Sequence, residues 1–400
     1  MAFPERFSDL PEYAFPRLRR LLDAYPAGGP EGDTIAMSIG EPRHPVPGFV
    51  APILAAHTAE FGRYPPNEGA PELLAAISGW LKLRYNADVT PDRIMALNGT
   101  REGLFGACLA LCPEMKAGQR PAVLMPNPFY QAYAAAALSV GAEPVYVPAT
   151  GDTGFLPDYA ALPADILNRT ALAYLCSPAN PQGSVAPASY LADLIRLAGH
   201  HGFTLLADEC YSEIWRTAPP PGALEVAGAM GADPETVAVF HSLSKRSNLA
   251  GLRSGFVAGG PEAIRRFRQL RSYGGAPLPL PIQHVSAAAW SDEAHVEANR
   301  ALYQEKFRIA DEVLAGVPGY QGPEGGFFLW LRVRDGEGAA LKLWREAGVR
   351  VLPGAYLGRD AGPGTQGSGN PGREYIRVAM VAPRDEMRRG LVRLREGLFS

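Results

Sequence analysis

The sequence of residues 236–260 is Thr236-Val-Ala-Val-Phe-His-Ser-Leu-Ser-Lys245-Arg-Ser-Asn-Leu-Ala-Gly251-Leu-Arg253-Ser-Gly255-Phe-Val-Ala-Gly-Gly260. The apolar run from Val237 to Phe240 predicts a buried strand. Small polar residues and Lys245 follow this run, and a glycine-rich segment that contains Arg253 comes next. Serines, an arginine and tight turns beside one lysine suit a phosphate dianion. An amine among cationic groups has a lowered pKa and attacks carbonyls. A lysine considered alone is usually a solvated surface residue, so the role of Lys245 depends on the rest of the chain.

Strands alternate with helices on the N-terminal side of this stretch. Apolar runs predict strands at 94–97, 122–125, 145–147, 171–175 and 203–208. Continuous apolar strands separated by helical segments indicate an α/β fold with a mainly parallel sheet flanked by helices. Ligands of such sheets bind beyond the carboxyl ends of the strands. Polar residues stand at these ends, at positions 99–101, 180, 208 and 245.

The two ends of the chain have different patterns. We expect residues 1–35, rich in Pro and Arg, to form an arm that packs with a smaller C-terminal domain. Residues 36–290 are expected to form the large domain and residues 291–400 the smaller α/β domain. A long amphipathic helix from about 292 to 317 would lead into the smaller domain. The further elements predicted there are a strand at 326–333, a helix at 339–347, strands at 349–352 and 375–380, and a glycine-rich loop at 360–373.

Composition narrows the class of protein. With 400 residues, 47% hydrophobic and 20% charged, the chain is expected to be a soluble, globular protein with more than one domain. A net charge of -3 argues against a nucleic-acid-binding surface. The four cysteines lack metal-binding spacing with histidine, so we expect no metal site and a reducing compartment. The N-terminus lacks a signal pattern and no apolar run reaches membrane-spanning length, so a cytoplasmic location is expected.

Five side chains on or near the predicted strands are candidates for a ligand site, and four of them allow two interpretations. Asp208 is either a turn or cap residue or a buried carboxylate that keeps a pyridine nitrogen protonated. Tyr211, three residues on, could reach the same ring. Asn180, in Asn-Pro-Gln-Gly, is a turn residue or an amide that bonds to a ring oxygen. Tyr130 is a core aromatic or a stacking platform. Arg377 interrupts an apolar strand, either as an ion-pair partner or as a carboxylate receptor.

Taken together, these motifs resemble those of the class I and II aminotransferases, which are fold-type I enzymes that use pyridoxal 5′-phosphate. The resemblance extends from about Gly40 to Met380. It rests on Ser-Leu-Ser-Lys-Arg-Ser-Asn-Leu-Ala-Gly-Leu-Arg at 242–253, preceded in family order by Asn-Pro-Gln-Gly at 180–183 and Asp-Glu-Cys-Tyr at 208–211. Ser254 departs from the pattern, because the family more often has an aliphatic residue there. The fold implied is a large domain with a seven-stranded, mainly parallel sheet plus a smaller α/β domain.

The resemblance implies a role for each matching residue. Lys245 would bind the cofactor as a Schiff base and then transfer the proton of the reaction, with Asp208 and Tyr211 as the other catalytic residues. The residues implied to contact the cofactor ring are Asp208, Tyr211, Asn180 and Tyr130. Those implied to hold the phosphate are Gly99, Thr100 and Arg101 (the last two through their backbone amides), Ser242, Ser244, Arg253 and, from a neighbouring subunit, Tyr64. Those implied to bind the substrate carboxylate are Gly40, Asn180 and Arg377. The position of Tyr64 implies a homodimer with shared sites.

Segments near both ends suggest a subfamily. Ile39-Gly-Glu-Pro-Arg-His-Pro45, Val351-Leu-Pro-Gly-Ala-Tyr-Leu357 and Asn370-Pro-Gly are similar to the succinyldiaminopimelate aminotransferases of bacterial lysine synthesis. The implied reaction transfers an amino group between glutamate and N-succinyl-2-amino-6-oxopimelate with ping-pong kinetics. Arg43 is a candidate for binding a distal carboxylate of this substrate, or else a surface arginine.

The sequence allows three alternatives to this function. The chain could be an aminotransferase for aspartate, alanine or an aromatic acid, or a pyridoxal-phosphate-dependent C–S lyase. The same fold also occurs as the effector-sensing half of transcription regulators. That alternative needs an N-terminal DNA-binding helix pair and a basic patch, and we set it aside because about 35 residues precede the expected cofactor domain.

Overall fold

The computed structural model describes residues 5–8, 10, 12–30, 33–360 and 369–400. The strands, numbered along the chain, are β1 Ile35–Ala36, β2 Ile94–Leu97, β3 Ala122–Asn127, β4 Glu143–Pro148, β5 Thr170–Cys176, β6 Thr204–Asp208, β7 Val237–Ser242, β8 Gly255–Ala258, β9 Phe328–Arg332, β10 Val349–Arg350, β11 Leu352–Pro353 and β12 Tyr375–Ala379. The α-helices are α1 Ala14–Leu22, α2 Val50–His57, α3 Pro71–Tyr85, α4 Thr100–Leu111, α5 Gln131–Ser139, α6 Ala164–Arg169, α7 Ala188–His201, α8 Ala223–Met230, α9 Leu243–Arg246, α10 Pro261–Arg271, α11 Leu280–Ser291, α12 Ala294–Val313, α13 Gly336–Ala347 and α14 Arg384–Phe399. Residues 361–368 of the predicted 360–373 loop lie outside the described residues, as do parts of the arm.

Seven strands form the large sheet, in the order β2-β8-β7-β6-β5-β3-β4. The strands β3 to β7 pair in parallel, and β8 runs antiparallel to both β2 and β7. The predicted seven-stranded, mainly parallel sheet is therefore confirmed. The strand β8 was not predicted as a separate element, because its glycine-rich sequence resembles a turn. It forms because it pairs with β2 and β7, which flank it on both sides.

Helices cover both faces of the large sheet. Alternate residues of the strands enter two apolar clusters, one beneath α4, α5 and α10 and one beneath α3, α7, α8 and α11. Burial on both faces explains why the strands are continuous apolar runs without polar alternation. Cys108 is buried in the first cluster, and Cys112 is half-buried beside it. The polar residues of the sheet are thereby concentrated where the strands end.

The C-terminal part has its own sheet and core. The antiparallel sheet β11-β12-β9 packs with α12, α13 and α14 around a third apolar cluster. The arm contacts this part, since β1 pairs in parallel with β10 and α1 buries Leu18 and Leu22 in a cluster with Trp330 and Tyr356. These contacts are consistent with an arm packed on a smaller domain. The limits 1–35, 36–290 and 291–400 stay a prediction.

Among the predicted elements whose bounds differ in the structure, three differ for a clear physical reason. The single strand at 349–352 is wrong: Val349–Arg350 pairs with the arm and Leu352–Pro353 with β12, so two sheets divide it. Helix α12 ends at Val313, shortly before Gly316, whose φ of +78° is incompatible with continuing a helix. Helix α13 begins at Gly336 because the Asp335 side chain accepts a hydrogen bond from the Glu337 amide at 3.1 Å.

Within the ranges that the structure describes, no helix combines the length and the apolar character needed to cross a membrane.

Candidate active site

A cavity of about 420 Å³ lies beyond the carboxyl ends of β5, β6 and β7 and extends to α1 and β12. This is the edge of the sheet where a ligand was expected. The predicted site residues that line the cavity are Gly40, Thr100, Arg101, Tyr130, Asn180, Asp208, Tyr211, Ser242, Ser244, Lys245, Arg253 and Arg377. Residues more than 300 positions apart in the sequence are thus brought to one site.

Lys245 lies on α9, the short helix that directly follows β7. Its Nζ donates a hydrogen bond to the Gly40 carbonyl at 2.5 Å. The pKa of the Lys245 amine is lowered to about 8, mainly by burial and also by the nearby Arg377 and Arg253, while Cys210 and Glu41 act in the opposite direction. An amine with this pKa is partly neutral near physiological pH, so Lys245 is suited to attack a carbonyl carbon.

Asp208 ends β6 and is buried. Its Oδ2 accepts a hydrogen bond from the Tyr133 hydroxyl at 2.7 Å, and Tyr133 in turn stacks on Tyr174 with ring centroids 4.2 Å apart. Burial raises the pKa of the Asp208 carboxyl, although its hydrogen bonds oppose this effect. A buried carboxylate gains most from a cationic partner, and the cavity lies beside it. Sequence reasoning missed Tyr133, although it follows Tyr130 by three positions near the start of a helix.

One end of the cavity can hold a phosphate. Gly99 precedes α4 with a φ of +80°, and a Cβ there would collide with the Arg253 guanidinium. Ser242 and Ser244 are hydrogen-bonded to each other with their hydroxyl oxygens 2.9 Å apart. Arg253 itself has a φ of 57° and is held by the Ala250 carbonyl at 2.8 Å. A helix N-terminus, two hydroxyls and a guanidinium at one place form a suitable site for a dianion.

Arg377 lies at another side of the cavity. Its two Nη atoms donate to Asn180 Oδ1 at 2.9 Å and to the Ser38 carbonyl at 2.7 Å. Its Nε is buried without a partner among the described residues, and its guanidinium lies 4.1 Å from the ring centroid of Phe328. Burial lowers the pKa of Arg377 to about 10. A buried cation whose bonds go to neutral oxygens favours an anionic ligand.

Aromatic rings and one glycine lie on the same side of the cavity as Arg377. Tyr211 packs edge-on against Phe327 and Phe328 at centroid distances of 5.3 and 5.9 Å. Burial raises the pKa of Tyr211 well above its usual value. A Cβ at Gly40 would meet the Phe328 ring at 2.5 Å, so a larger residue would require this ring to shift. The backbone of the Gly40 segment can therefore approach a ligand closely.

The arm closes the far side of the cavity. Arg101 Nε donates to the Tyr130 hydroxyl at 2.7 Å, and Arg101 Nη2 donates to the Tyr13 hydroxyl at 3.4 Å. Gln131 holds the arm, since its Oε1 accepts from the Ala14 amide at 3.2 Å. Sequence reasoning missed Tyr13 and its neighbour Phe15, because the sequence carries no signal for the docking of an arm on a distant helix.

Three proposed residues lie outside the cavity lining. Gly99 lies against Arg253 as described, one residue from Thr100. Arg43 forms an exposed ion pair with Glu386 at 2.8 Å, which agrees with the alternative of a surface arginine. Tyr64 is fully exposed, with a relative accessibility of 101%. Its expected contact with a neighbouring subunit stays a prediction.

The residues of the cavity fit pyridoxal 5′-phosphate. The cradle of Ser242, Ser244 and Arg253 matches its phosphate, and the buried carboxylate of Asp208 matches its ring nitrogen. Lys245 offers the amine that an aldehyde requires.

Comparisons with known proteins agree with this arrangement. The model of the family "Aminotransferase class I and II" matches residues 32–394. An LL-diaminopimelate aminotransferase of Dehalococcoides mccartyi is 30% identical, and the match covers 98% of each chain. A 4-dedimethylamino-4-oxo-anhydrotetracycline transaminase of Streptomyces rimosus is 31% identical over 96% of this chain and 99% of the relative. The crystal structure of an aminotransferase from Neisseria meningitidis superimposes with a TM-score of 0.92 at 37% identity, covering 98% of this chain and 99% of that one. This chain belongs to the class I and II aminotransferases, fold-type I enzymes that use pyridoxal 5′-phosphate.

Proposed function

We propose that this aminotransferase acts on the diaminopimelate skeleton, transferring an amino group between glutamate and N-succinyl-2-amino-6-oxopimelate. The observation that carries the proposal is that two guanidinium groups line the cavity in addition to Arg253 of the phosphate cradle. Arg377 suits the carboxylate next to the reacting carbon. Arg101, whose two hydrogen bonds go to phenol oxygens that do not neutralise its charge, suits a second carboxylate farther along the substrate.

Free LL-diaminopimelate is the second candidate substrate. Several relatives at 29–31% identity are LL-diaminopimelate aminotransferases, which favours the free skeleton over the succinylated one. The transaminase from Streptomyces rimosus has the same degree of identity and a different named substrate. Similarity at this level therefore supports the reaction class more strongly than the substrate, and the succinyl group has to be tested directly.

Each residue of the site has a distinct task in the proposed reaction. When bound, the cofactor supplies an electron-accepting ring that stabilises negative charge at the substrate Cα. Arg377 and Asn180 would hold the substrate carboxylate and orient the Cα–H bond. The Lys245 amine would remove the substrate Cα proton as a general base. Once protonated, it would act as the general acid that gives this proton up again. The carboxylate of Asp208 would hold the proton on the ring nitrogen.

The lowered pKa of Lys245 predicts a pH-dependent uptake of cofactor. The neutral amine is the reactive form, so the rate of cofactor capture by cofactor-free protein should rise with pH and level off above a midpoint near 8. Stopped-flow absorbance at a series of pH values measures this rate. A rate that is independent of pH from 7 to 9 would contradict the assignment.

The lowered pKa of Lys245 also affects stability. The folded-state pKa of about 8 lies below the ordinary value of 10.5, so the unfolded chain binds more protons than the folded chain between these two pH values. The contribution of Lys245 to stability should therefore increase with pH through that interval.

Replacing Arg377 by lysine is expected to reduce kcat/KM for every amino donor by about 10²-fold. Lysine keeps the positive charge but cannot form a bidentate pair with a carboxylate, and it leaves the Asn180 amide and the Ser38 carbonyl without their partner. Steady-state kinetics with glutamate and alanine measure the loss. Arg384→Lys, which alters an exposed arginine of an ion pair with Glu305, is the matched control and should retain normal kinetics.

A substrate panel with one variant tests the proposed function. N-Succinyl-2-amino-6-oxopimelate should restore the aldehyde form of the glutamate-treated enzyme faster than oxaloacetate, pyruvate or phenylpyruvate. Arg101→Met should lower kcat/KM for the long dicarboxylic substrates while kcat/KM for alanine changes little. Equal losses for all substrates would overturn a role of Arg101 in binding the distal carboxylate. Formation of ammonia and pyruvate from cystathionine would instead favour the C–S lyase alternative.

We also propose that the enzyme is a homodimer, as the resemblance implies for Tyr64. Tyr64 and Tyr273 are almost wholly exposed, and Phe61 is 57% exposed. The segments around Tyr64 and Tyr273 lie next to each other, because the side-chain amide of Asn67 donates to the Arg268 carbonyl at 3.0 Å. Exposed aromatic side chains grouped in this way are typical of a protein interface. Sedimentation should give a mass of two chains, and Tyr64→Ala should weaken cofactor retention.

A further inference from the structure

The backbone that carries Lys245 is held by one side chain of α12. Helix α9 has only four residues, and the last carbonyls of a helix have no partner within it. The Asn299 Nδ2 donates to the Lys245 carbonyl at 3.3 Å and to the Arg246 carbonyl at 3.2 Å. Asn299 is 4% exposed, so these bonds form away from competing water. Two otherwise unsatisfied carbonyls at the catalytic lysine are thereby paired.

The oxygen of the same amide holds two other segments. Asn299 Oδ1 accepts from Asn248 Nδ2 at 2.9 Å and lies 2.8 Å from His44 Nδ1. An amide has two donor hydrogens and two acceptor sites, so all four bonds of Asn299 are used. Because Oδ1 can only accept, His44 carries its proton on Nδ1. Asn248 has a φ of 53°, a strained conformation for which this bond compensates.

His44 belongs to the segment that contains Gly40. Within this segment the Ser38 carbonyl accepts from Arg377 at 2.7 Å, and the Gly40 carbonyl accepts from Lys245 Nζ at 2.5 Å. The His44 ring packs on Tyr303 of α12 at a centroid distance of 4.5 Å. The segment is therefore fixed at one end by the carboxylate receptor and at the other end by Asn299.

We propose that Asn299 is a positioning residue, which sets the distance between the Lys245 amine and the Arg377 carboxylate receptor by binding the Lys245 backbone and His44 together. Asn299 does not line the cavity. Its effect would be exerted through Lys245 and the Gly40 segment. The proposal rests on the aminotransferase reaction and is independent of which substrate is used.

The first test compares two conservative changes at equivalent Asn–His pairs. Asn299→Asp keeps the shape but cannot donate to the two carbonyls, and it is expected to lower kcat roughly 10²-fold, as a displacement of about 1 Å can do, with a smaller change in KM. Asn168→Asp alters an exposed pair in which Asn168 Oδ1 lies 3.0 Å from His201 Nδ1, and it should leave kcat unchanged. Equal kinetics for Asn299→Asp and the wild type would overturn the proposal.

A second measurement separates positioning from general damage. In cofactor-free protein, the acetylation of Lys245 by acetic anhydride can be followed by mass spectrometry across pH. Asn299→Asp should shift the midpoint of this titration away from the wild-type value, while Asn168→Asp should not. An unchanged midpoint together with a reduced kcat would contradict positioning of the amine and indicate a merely structural role.

Two variants of His44 keep the proposal testable if Asn299→Asp fails to fold. His44→Gln retains an N–H donor for Asn299 Oδ1 and should keep kcat within a few-fold of the wild type. His44→Phe retains the packing on Tyr303 but lacks the donor, so kcat should fall by about 10-fold, the value of one hydrogen bond of roughly 1.4 kcal/mol. Equal activity of the two variants would overturn the link between Asn299 and the Gly40 segment.

Discussion

Replacing Lys245 by alanine is expected to lower kcat by at least about 10⁴-fold, because the variant loses both its nucleophile and its general base. Lys245 lines the cavity, and its amine donates to the Gly40 carbonyl and forms no ion pair within the part of the chain that the structure describes. The variant should also lose the covalent attachment of cofactor, which is visible as loss of the absorbance that shifts when glutamate is added. Steady-state kinetics and an absorbance spectrum measure the two effects.

A matched control is Lys82→Ala, which removes an exposed lysine that pairs with Asp88 at 2.9 Å. Its kinetics and spectrum should equal those of the wild type, since surface ion pairs contribute little to stability. If Lys245→Ala retained activity within about 10-fold of the wild type, another group would have to act as the base, and the assignment of the site would be wrong.

Replacing Asp208 by asparagine is expected to lower kcat roughly 10³-fold. Asparagine has the same shape and can still accept the hydrogen bond from Tyr133, but it carries no charge to keep the ring nitrogen protonated. The ring would then accept electrons from the substrate Cα less well. Kinetics with glutamate, together with the cofactor content of the purified variant, measure the loss.

The same variant should make the cofactor-free protein at least as stable as the wild type. Burial raises the folded-state pKa of Asp208 above its ordinary value of 3.8. The folded state then binds more protons than the unfolded state above that pH, so the charged carboxylate reduces stability as the pH rises. A neutral asparagine removes this cost. Thermal unfolding at pH 5 and pH 8 measures the difference, which should be larger at pH 8.

The neighbouring carboxylate provides the control for Asp208→Asn. Glu209 is also buried, but its Oε1 accepts a hydrogen bond from the Ala223 amide at 2.7 Å and its Oε2 lies 3.0 Å from His241 Nε2. Glu209→Gln should therefore reduce stability while kcat stays within a few-fold. Loss of activity in Glu209→Gln equal to that in Asp208→Asn would show that burial of charge, rather than contact with the cofactor, explains the effect.

The parts of the site predicted from sequence are those with a local signal. Lys245 and Asp208 follow apolar strands, and the carboxyl ends of parallel strands meet at one edge of the sheet. Their clustering could therefore be predicted without knowing which strands are neighbours. Arg377 was predicted because it interrupts an apolar strand in an otherwise buried part of the chain.

The parts that were missed depend on contacts between distant segments. The bond of Tyr133 to Asp208 spans 75 positions, and that of Asn299 to Lys245 spans 54. Docking of Tyr13 against Arg101 spans 88. The predicted strand at 349–352 failed for the same reason, because pairing with the arm through β1 divides it between two sheets. Hydrophobic periodicity reports the burial of a segment but not its partner.

Reductive trapping provides the most direct evidence on the role of Lys245. Wild-type protein loaded with pyridoxal 5′-phosphate is treated with sodium borohydride, digested and analysed by peptide mass spectrometry. The assigned site predicts one phosphopyridoxyl group per chain, on Lys245, and none when the protein is first converted to the amine form with glutamate. A modified lysine at any other position, or unchanged trapping after treatment with glutamate, would contradict Lys245 as the residue that binds the cofactor and carries out transamination.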